Sequence, residues 1–127
     1  YDGPQGTGDL VVRKGRALAD ATLFTTFPEV GTPKEAAAFR AVANNVQLVR
    51  YGMDCYAYAL LAHGQIDLVI EAGLQPYDIC APIAVIEAAG GIVTDWSGGP
   101  AHHGGQVHAA ATPELHAEAL KHLAGAA

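Results

Sequence analysis

Asp78 follows Tyr77 and stands ahead of the apolar run 79–89, which places a carboxylate at the mouth of a helix. Two chemistries are open to it there. An Asp at a helix start caps the helix by accepting a hydrogen bond from a backbone N–H two or three residues on. The same carboxylate is a hard oxygen ligand for Mg²⁺, with the helix behind it fixing its direction. One side chain can play both parts.

The elements around Asp78 must hold it in place. Residues 66–70 (I-D-L-V-I) read as a short buried strand, Gly90 and Gly91 stop the helix, and residues 92–94 (I-V-T) start another strand. In such a strand-loop-helix-strand unit, ligands gather where strands end and helices begin, because helix N-termini present free N–H groups there.

The rest of the chain repeats this grammar. Residues 1–9, rich in Gly, Pro, Gln and Thr, read as a loop. Residues 10–12 and 21–27 read as strands, with Gly15 as a turn signal between them. Thr32-Pro33-Lys34-Glu35 is a capping box with Pro at the first helical position, predicting a helix to about Val42 that Asn44 and Asn45 close. A strand over 47–51 leads to a helix from Gly52 to His63, stopped by Gly64. A strand over 106–111 precedes a helix that Thr112 caps and that runs to about Leu123.

Composition narrows the function classes. The 127 residues suit one small domain with one core, and 50% apolar with 16% charged residues excludes a disordered chain. A net charge of −6 without a basic stripe argues against a nucleic-acid partner. The longest apolar run, 55–62, is far short of a membrane span, and no targeting segment is visible, so no membrane partner is expected and the chain reads as cytoplasmic. Cys55 and Cys80 fall on predicted helices without C-x-x-C spacing and read as buried thiols. His102, His103 and His108 flank Gly104 and Gly105 and read as a loop beside a strand, and His63 sits against the C-terminal dipole of its helix. Neither group reads as catalytic.

Residues 71–91, E-A-G-L-Q-P-Y-D-I-C-A-P-I-A-V-I-E-A-A-G-G, resemble the C-terminal signature of the inositol monophosphatase family, in which an aromatic-Asp pair opens a helix ending in E-A-G-G or a close variant. Upstream, R-Y-G-M-D-C-Y-A-Y (50–58) and A-H-G-Q-I-D (62–67) are similar to the family's glycine-led helix and the A-x-G-x-x-D that closes it. In detail the match is most like the histidinol-phosphate phosphatase branch, with Met53 standing where that branch has Gly and Pro82 an unusual residue early in the helix.

The resemblance implies an α/β fold, a layered sheet with helices on its faces, corresponding to the C-terminal half of the family's fold. It implies Mg²⁺-dependent hydrolysis of a phosphate monoester, with Asp78 at the position of a metal ligand. By the same resemblance Glu71 would contact the organic part of the substrate, and Gly52, Met53 and Asp54 would form the loop and helix start near it. A carboxylate at Asp54 would attract the cationic side of histidinol, whereas an acidic residue in a first helical turn also serves the dipole whatever the ligand. The Glu-Glu pair and the D-P-x-D-G-T segment that carry the family's other metal ligands do not occur in this sequence.

Three functions follow from this reading. The chain is the C-terminal half of a histidinol-phosphate phosphatase, inactive alone and dependent on an N-terminal half. Alternatively, it is half of a relative acting on inositol phosphate or a nucleotide bisphosphate. The third reading is a non-catalytic domain that binds a partner. A homodimer is a possible assembly in each case.

Overall fold

The computed structural model describes residues 2–3, 6–26 and 30–127, with residues 2–3 and 6–7 described by backbone alone. In chain order these form β1 (Asp2–Gly3), β2 (Gly6–Thr7), β3 (Thr22–Thr25), α1 (Pro33–Ala43), β4 (Leu48–Tyr51), α2 (Tyr56–Ala62), β5 (Leu68–Leu74), α3 (Pro76–Ala88), β6 (Ile92–Thr94), β7 (Gly105–Ala110) and α4 (Pro113–Leu123). Single 3-10 turns add Leu18–Asp20 and Ala124–Ala126.

Five strands make the main sheet in the order β4-β3-β5-β7-β6. β3 runs parallel to β4 and β5, while β7 is inserted antiparallel between β5 and β6. The chain therefore leaves β5, crosses through α3, and returns as β6, two positions away on the far side of β7. β5 and β7 are buried on both faces, which is why they read as nearly continuous apolar runs rather than as alternations.

Two apolar layers, not one core, hold the sheet. Val69, Val107 and Ala109 point to one face, where Leu61 of α2 and Ile79 and Ile86 of α3 cover them. Leu23, Leu68 and Ile70 point to the other, against Phe39 of α1, Leu115 and Leu123 of α4, and Trp96. A sheet with helices on both faces must divide its interior in this way.

Several sequence expectations are corrected. Within 1–9 a two-residue antiparallel ribbon, β1 with β2, replaces part of the loop, and residues 1, 4 and 5 lie outside the described ones. Residues 10–12 are not a strand. The N–H of Val12 bonds the carbonyl of Ala89 at 3.1 Å, and Arg13 reaches Asp67 with Nε to Oδ1 at 2.7 Å and Nη2 to Oδ2 at 2.6 Å. This ties the segment beneath the sheet's helices, off the ladder. Of the strand expected over 21–27, Thr22–Thr25 is observed and residue 27 is not described. The strand expected over 66–70 is displaced to Leu68–Leu74.

The helix expected from Gly52 starts only at Tyr56, because Gly52 has φ +85° and Asp54 has φ +49°, both in the left-handed region that a right-handed helix excludes. Both cysteines are exposed, not buried. The capping box of α1 forms as expected, with Glu35 N–H donating to Thr32 Oγ1 at 3.2 Å and Thr32 N–H to Glu35 Oε1 at 2.9 Å. Among the described residues no helix is long and apolar enough to cross a membrane.

Candidate functional site

The C-terminal ends of the parallel strands β3, β4 and β5 open toward the N-termini of α2 and α3. Thr25 and Thr26, at and just past the end of β3, Glu71 to Leu74 in β5, Asp54 and Cys55 before α2, and Tyr77 and Asp78 in the first turn of α3 surround a cavity of about 520 Å³ there. This is where α/β sheets place ligands.

Local backbone features aim the side chains. In β5 the pairing with β7 shifts between Glu71 and Leu74, so one extra residue bulges out of the strand, with Gly73 at φ +77°. A bulge of this kind bends the strand and redirects the residues beside it. Asp54 is the one non-glycine residue with positive φ among the described residues. Such a conformation persists only where the surroundings impose it, and it concentrates at functional sites.

Asp78 is not the N-cap of α3. Pro76, pre-set for helical φ, begins the helix with Gln75 as N-cap, which leaves Asp78 at the third helical position. From there its Oδ2 accepts the N–H of Gln75 at 2.9 Å, the reach-back half of a capping box. Pro82 does not shift the helix start. It lies inside α3, where its missing N–H leaves the carbonyl four residues back, that of Asp78, without a helical donor.

Glu71 is buried, and Thr26 Oγ1 donates to its Oε1 at 3.0 Å. Burial pushes its carboxyl up to about 7; the Thr26 bond works against this, and the charges of Asp54 and Asp78 add to it. Tyr58, from α2, lines the same cavity with its hydroxyl buried, and burial followed by the charges of Glu71 and Asp78 keeps it a phenol.

The sequence-predicted residues thus divide. Asp54, Glu71 and Asp78 come together on one cavity, whereas Gly52 and Met53 form the approach to Asp54 without lining it. Missed by sequence reasoning were Thr25, Thr26, Cys55 and Tyr58. A doubled Thr at a strand end was the available signal for the first two, and Tyr58 stood in the R-Y-G-M-D-C-Y-A-Y stretch with no site role assigned to it. The histidines stay away: His102 and His103 follow β6 in a loop, and His108 is buried in β7 against His116 of α4.

Carboxylate oxygens are the donors that Mg²⁺ takes, and Asp78 has one oxygen beyond the capping bond to offer. No group of three or more His, Cys, Asp or Glu among the described residues is placed to hold a metal ion. The cavity fits as one share of a Mg²⁺ coordination shell and not as a whole one.

Comparison with known proteins agrees with this geometry. Residues 10–126 match the model of the inositol monophosphatase family. A chloroplastic bifunctional phosphatase of Arabidopsis thaliana is 49% identical over 90 residues, covering 71% of this chain and 26% of that protein. A histidinol-phosphatase of Streptomyces coelicolor is 37% identical over 73 residues, covering 58% of this chain and 27% of the relative. The solved structure of an inositol monophosphatase from Zymomonas mobilis superposes with a TM-score of 0.86 at 35% identity, covering 90% of this chain and 46% of that one. The chain spans less than half the length of each of these relatives. With a family match over nearly its whole length, a five-stranded mixed sheet of the same build and an acidic cavity at the strand ends, the chain belongs to the inositol monophosphatase family.

Proposed function

We propose that this chain is the C-terminal half of a Mg²⁺-dependent phosphate monoester hydrolase whose preferred substrate is histidinol phosphate. The observation that carries the substrate class is the cavity itself, where Asp54, Glu71 and Asp78 supply three carboxylates and no Lys or Arg lines the wall among the described residues. Such a surface favours a cationic alcohol over a neutral polyol, since a charge-assisted hydrogen bond replaces an ordinary one. The kinship with a histidinol-phosphatase supports the same reading.

In this reading each residue has a separate task. Asp78, braced by Gln75, would hold Mg²⁺ through its remaining oxygen, and the metal would supply polarisation of the phosphate and activation of water. Glu71, fixed by Thr26, would take a hydroxyl or ammonium of the alcohol. Asp54, held at φ +49° ahead of α2, would face the cationic end. The remaining metal ligands would come from an N-terminal half, as the family resemblance implies. A second reading, inositol phosphate as substrate, draws on the fold match to the Zymomonas mobilis enzyme.

Substrate choice separates the two. In a protein joining the N-terminal part of the Arabidopsis thaliana relative to this chain, Asp54→Asn should lower kcat/KM for histidinol phosphate roughly tenfold to a hundredfold more than for inositol phosphate. A ratio unchanged by the substitution contradicts the cationic substrate and leaves inositol phosphate.

A further inference from the structure

Tyr58 is 3% exposed, and its hydroxyl has no hydrogen-bond partner among the described residues. A buried phenol in that condition carries the cost of desolvation with no bond in return, so the unpartnered group calls for an explanation. The hydroxyl lies within reach of the negative charge of both Glu71 and Asp78, and Tyr58 lines the same cavity as these two. Glu71 is half-engaged in turn. Its Oε1 takes the Thr26 hydroxyl at 3.0 Å, and its carboxylate accepts no other hydrogen bond among the described residues. An idle donor and an idle acceptor therefore share one wall of the cavity.

We propose that Tyr58 is the positioning residue for Glu71: when an alcohol or ammonium group of a ligand engages the Glu71 carboxylate, the Tyr58 hydroxyl donates to Oε2. Thr26 then holds the carboxylate from β3 and Tyr58 holds it from α2, so its remaining lone pairs point at the ligand. A carboxylate accepts several hydrogen bonds at once, and a phenol hydroxyl has one to donate. The inference rests on Glu71 as the contact to the organic part of the substrate, as proposed above. It assigns Tyr58 to recognition of the alcohol and leaves the metal and phosphate to other groups.

The test uses the joined protein of the preceding section, with L-histidinol and myo-inositol as the probes, followed by ¹³C NMR. In the wild type the Tyr58 Cζ and Glu71 Cδ resonances should move together as histidinol is added. Tyr58→Phe should bind histidinol about tenfold more weakly, yet melt without ligand at the wild-type temperature or above it, since the lost hydroxyl had no partner. Equal affinity in both proteins overturns the inference while leaving Glu71 as a ligand contact. A Phe variant that melts much lower or fails to fold shows a structural hydroxyl and also overturns it, as does a Cζ resonance that stays fixed in the wild type. Binding of neither probe to the wild type removes the reading of the cavity, and the role of Tyr58 with it.

Discussion

Glu71 is kept in a place where its charge is costly. Burial is the first cause of its rise to about 7, so between the ordinary value of 4.5 and about 7 the folded chain holds a proton that the unfolded chain has released. The stability this contributes is complete below pH 4.5 and is lost as pH rises through about 7. Glu71→Gln, which never ionises, should therefore match the wild type in acid and exceed it above neutrality, by on the order of 2 kcal/mol. Thermal unfolding of both proteins from pH 4 to 8 checks this, and parallel curves contradict it. The same variant should lose affinity for histidinol, which is the exchange of stability for function that strained and buried site residues generally show.

Among elements, β7 and α4 carry a second buried titrating pair with no part in the cavity. The rings of His108 and His116 stack at 4.5 Å with planes 7° apart. Thr94 Oγ1 gives its proton to the carbonyl of Asp95 at 2.7 Å, so it accepts from His116 Nε2 at 2.6 Å, which fixes a proton on that nitrogen. Burial, then the neighbouring His116, lowers His108 from 6.5 to about 3, and burial lowers His116 as well. The sign is opposite to that of Glu71: the unfolded chain takes up protons first, so stability is present above pH 6.5 and lost as pH falls toward about 3. Acid unfolding should cost about 3 kcal/mol between pH 6.5 and 4 from His108 alone, and His108→Phe should flatten the profile there. An unchanged acid slope in that variant would count against the buried pair as its source.

The same elements show what could be read from the sequence. α1 and α4 were legible because Thr32 with Glu35, and Thr112, are local signals that need no tertiary context. The start of α3 was misplaced by three residues. Pro76 pre-sets the first turn, and its signal was passed over in favour of the better-known capping preference of Asp. α2 was overextended, since left-handed backbone at Asp54 comes from the surroundings and leaves no mark in composition. Asp54, Glu71 and Asp78 were nameable from motif, whereas Tyr58 and Thr26 reach the cavity only through the way α2 and β3 pack. The inserted antiparallel β7 was hidden for a similar reason: strand order is a property of the assembled sheet, not of any segment.

At the scale of the molecule, one ion pair closes the layer that carries the site. Asp67 has no exposure, and it binds Arg13 through two hydrogen bonds and the N–H of Thr22 at 2.8 Å, joining the 10–17 segment to β3 and to the entry of β5. Arg13→Ala leaves that carboxylate buried and unpaired, a loss of about 3 kcal/mol or more, readable as a lowered urea midpoint. A change under about 1 kcal/mol would mean that the pair is solvent-screened rather than structural.

The chain covers 46% of the matched solved structure, and its described residues supply no whole metal site. No turnover of histidinol phosphate is therefore expected from the 127 residues alone, with recovery of turnover when an N-terminal half is joined. Asp78 is proposed as a metal ligand as well as a brace for Gln75, and these roles separate in one substitution. Asn at position 78 keeps the size and much of the hydrogen bonding, so a capping role alone would cost no more than about 1 kcal/mol and spare activity. The decisive measurement is kcat as a function of Mg²⁺ for the joined protein with Asp78 and with Asp78→Asn, beside their metal-free melting temperatures. The expected result is a fall in kcat of about a hundredfold or more with a weakened Mg²⁺ dependence and nearly equal melting temperatures. Wild-type kcat and Mg²⁺ dependence in the Asn variant would contradict it.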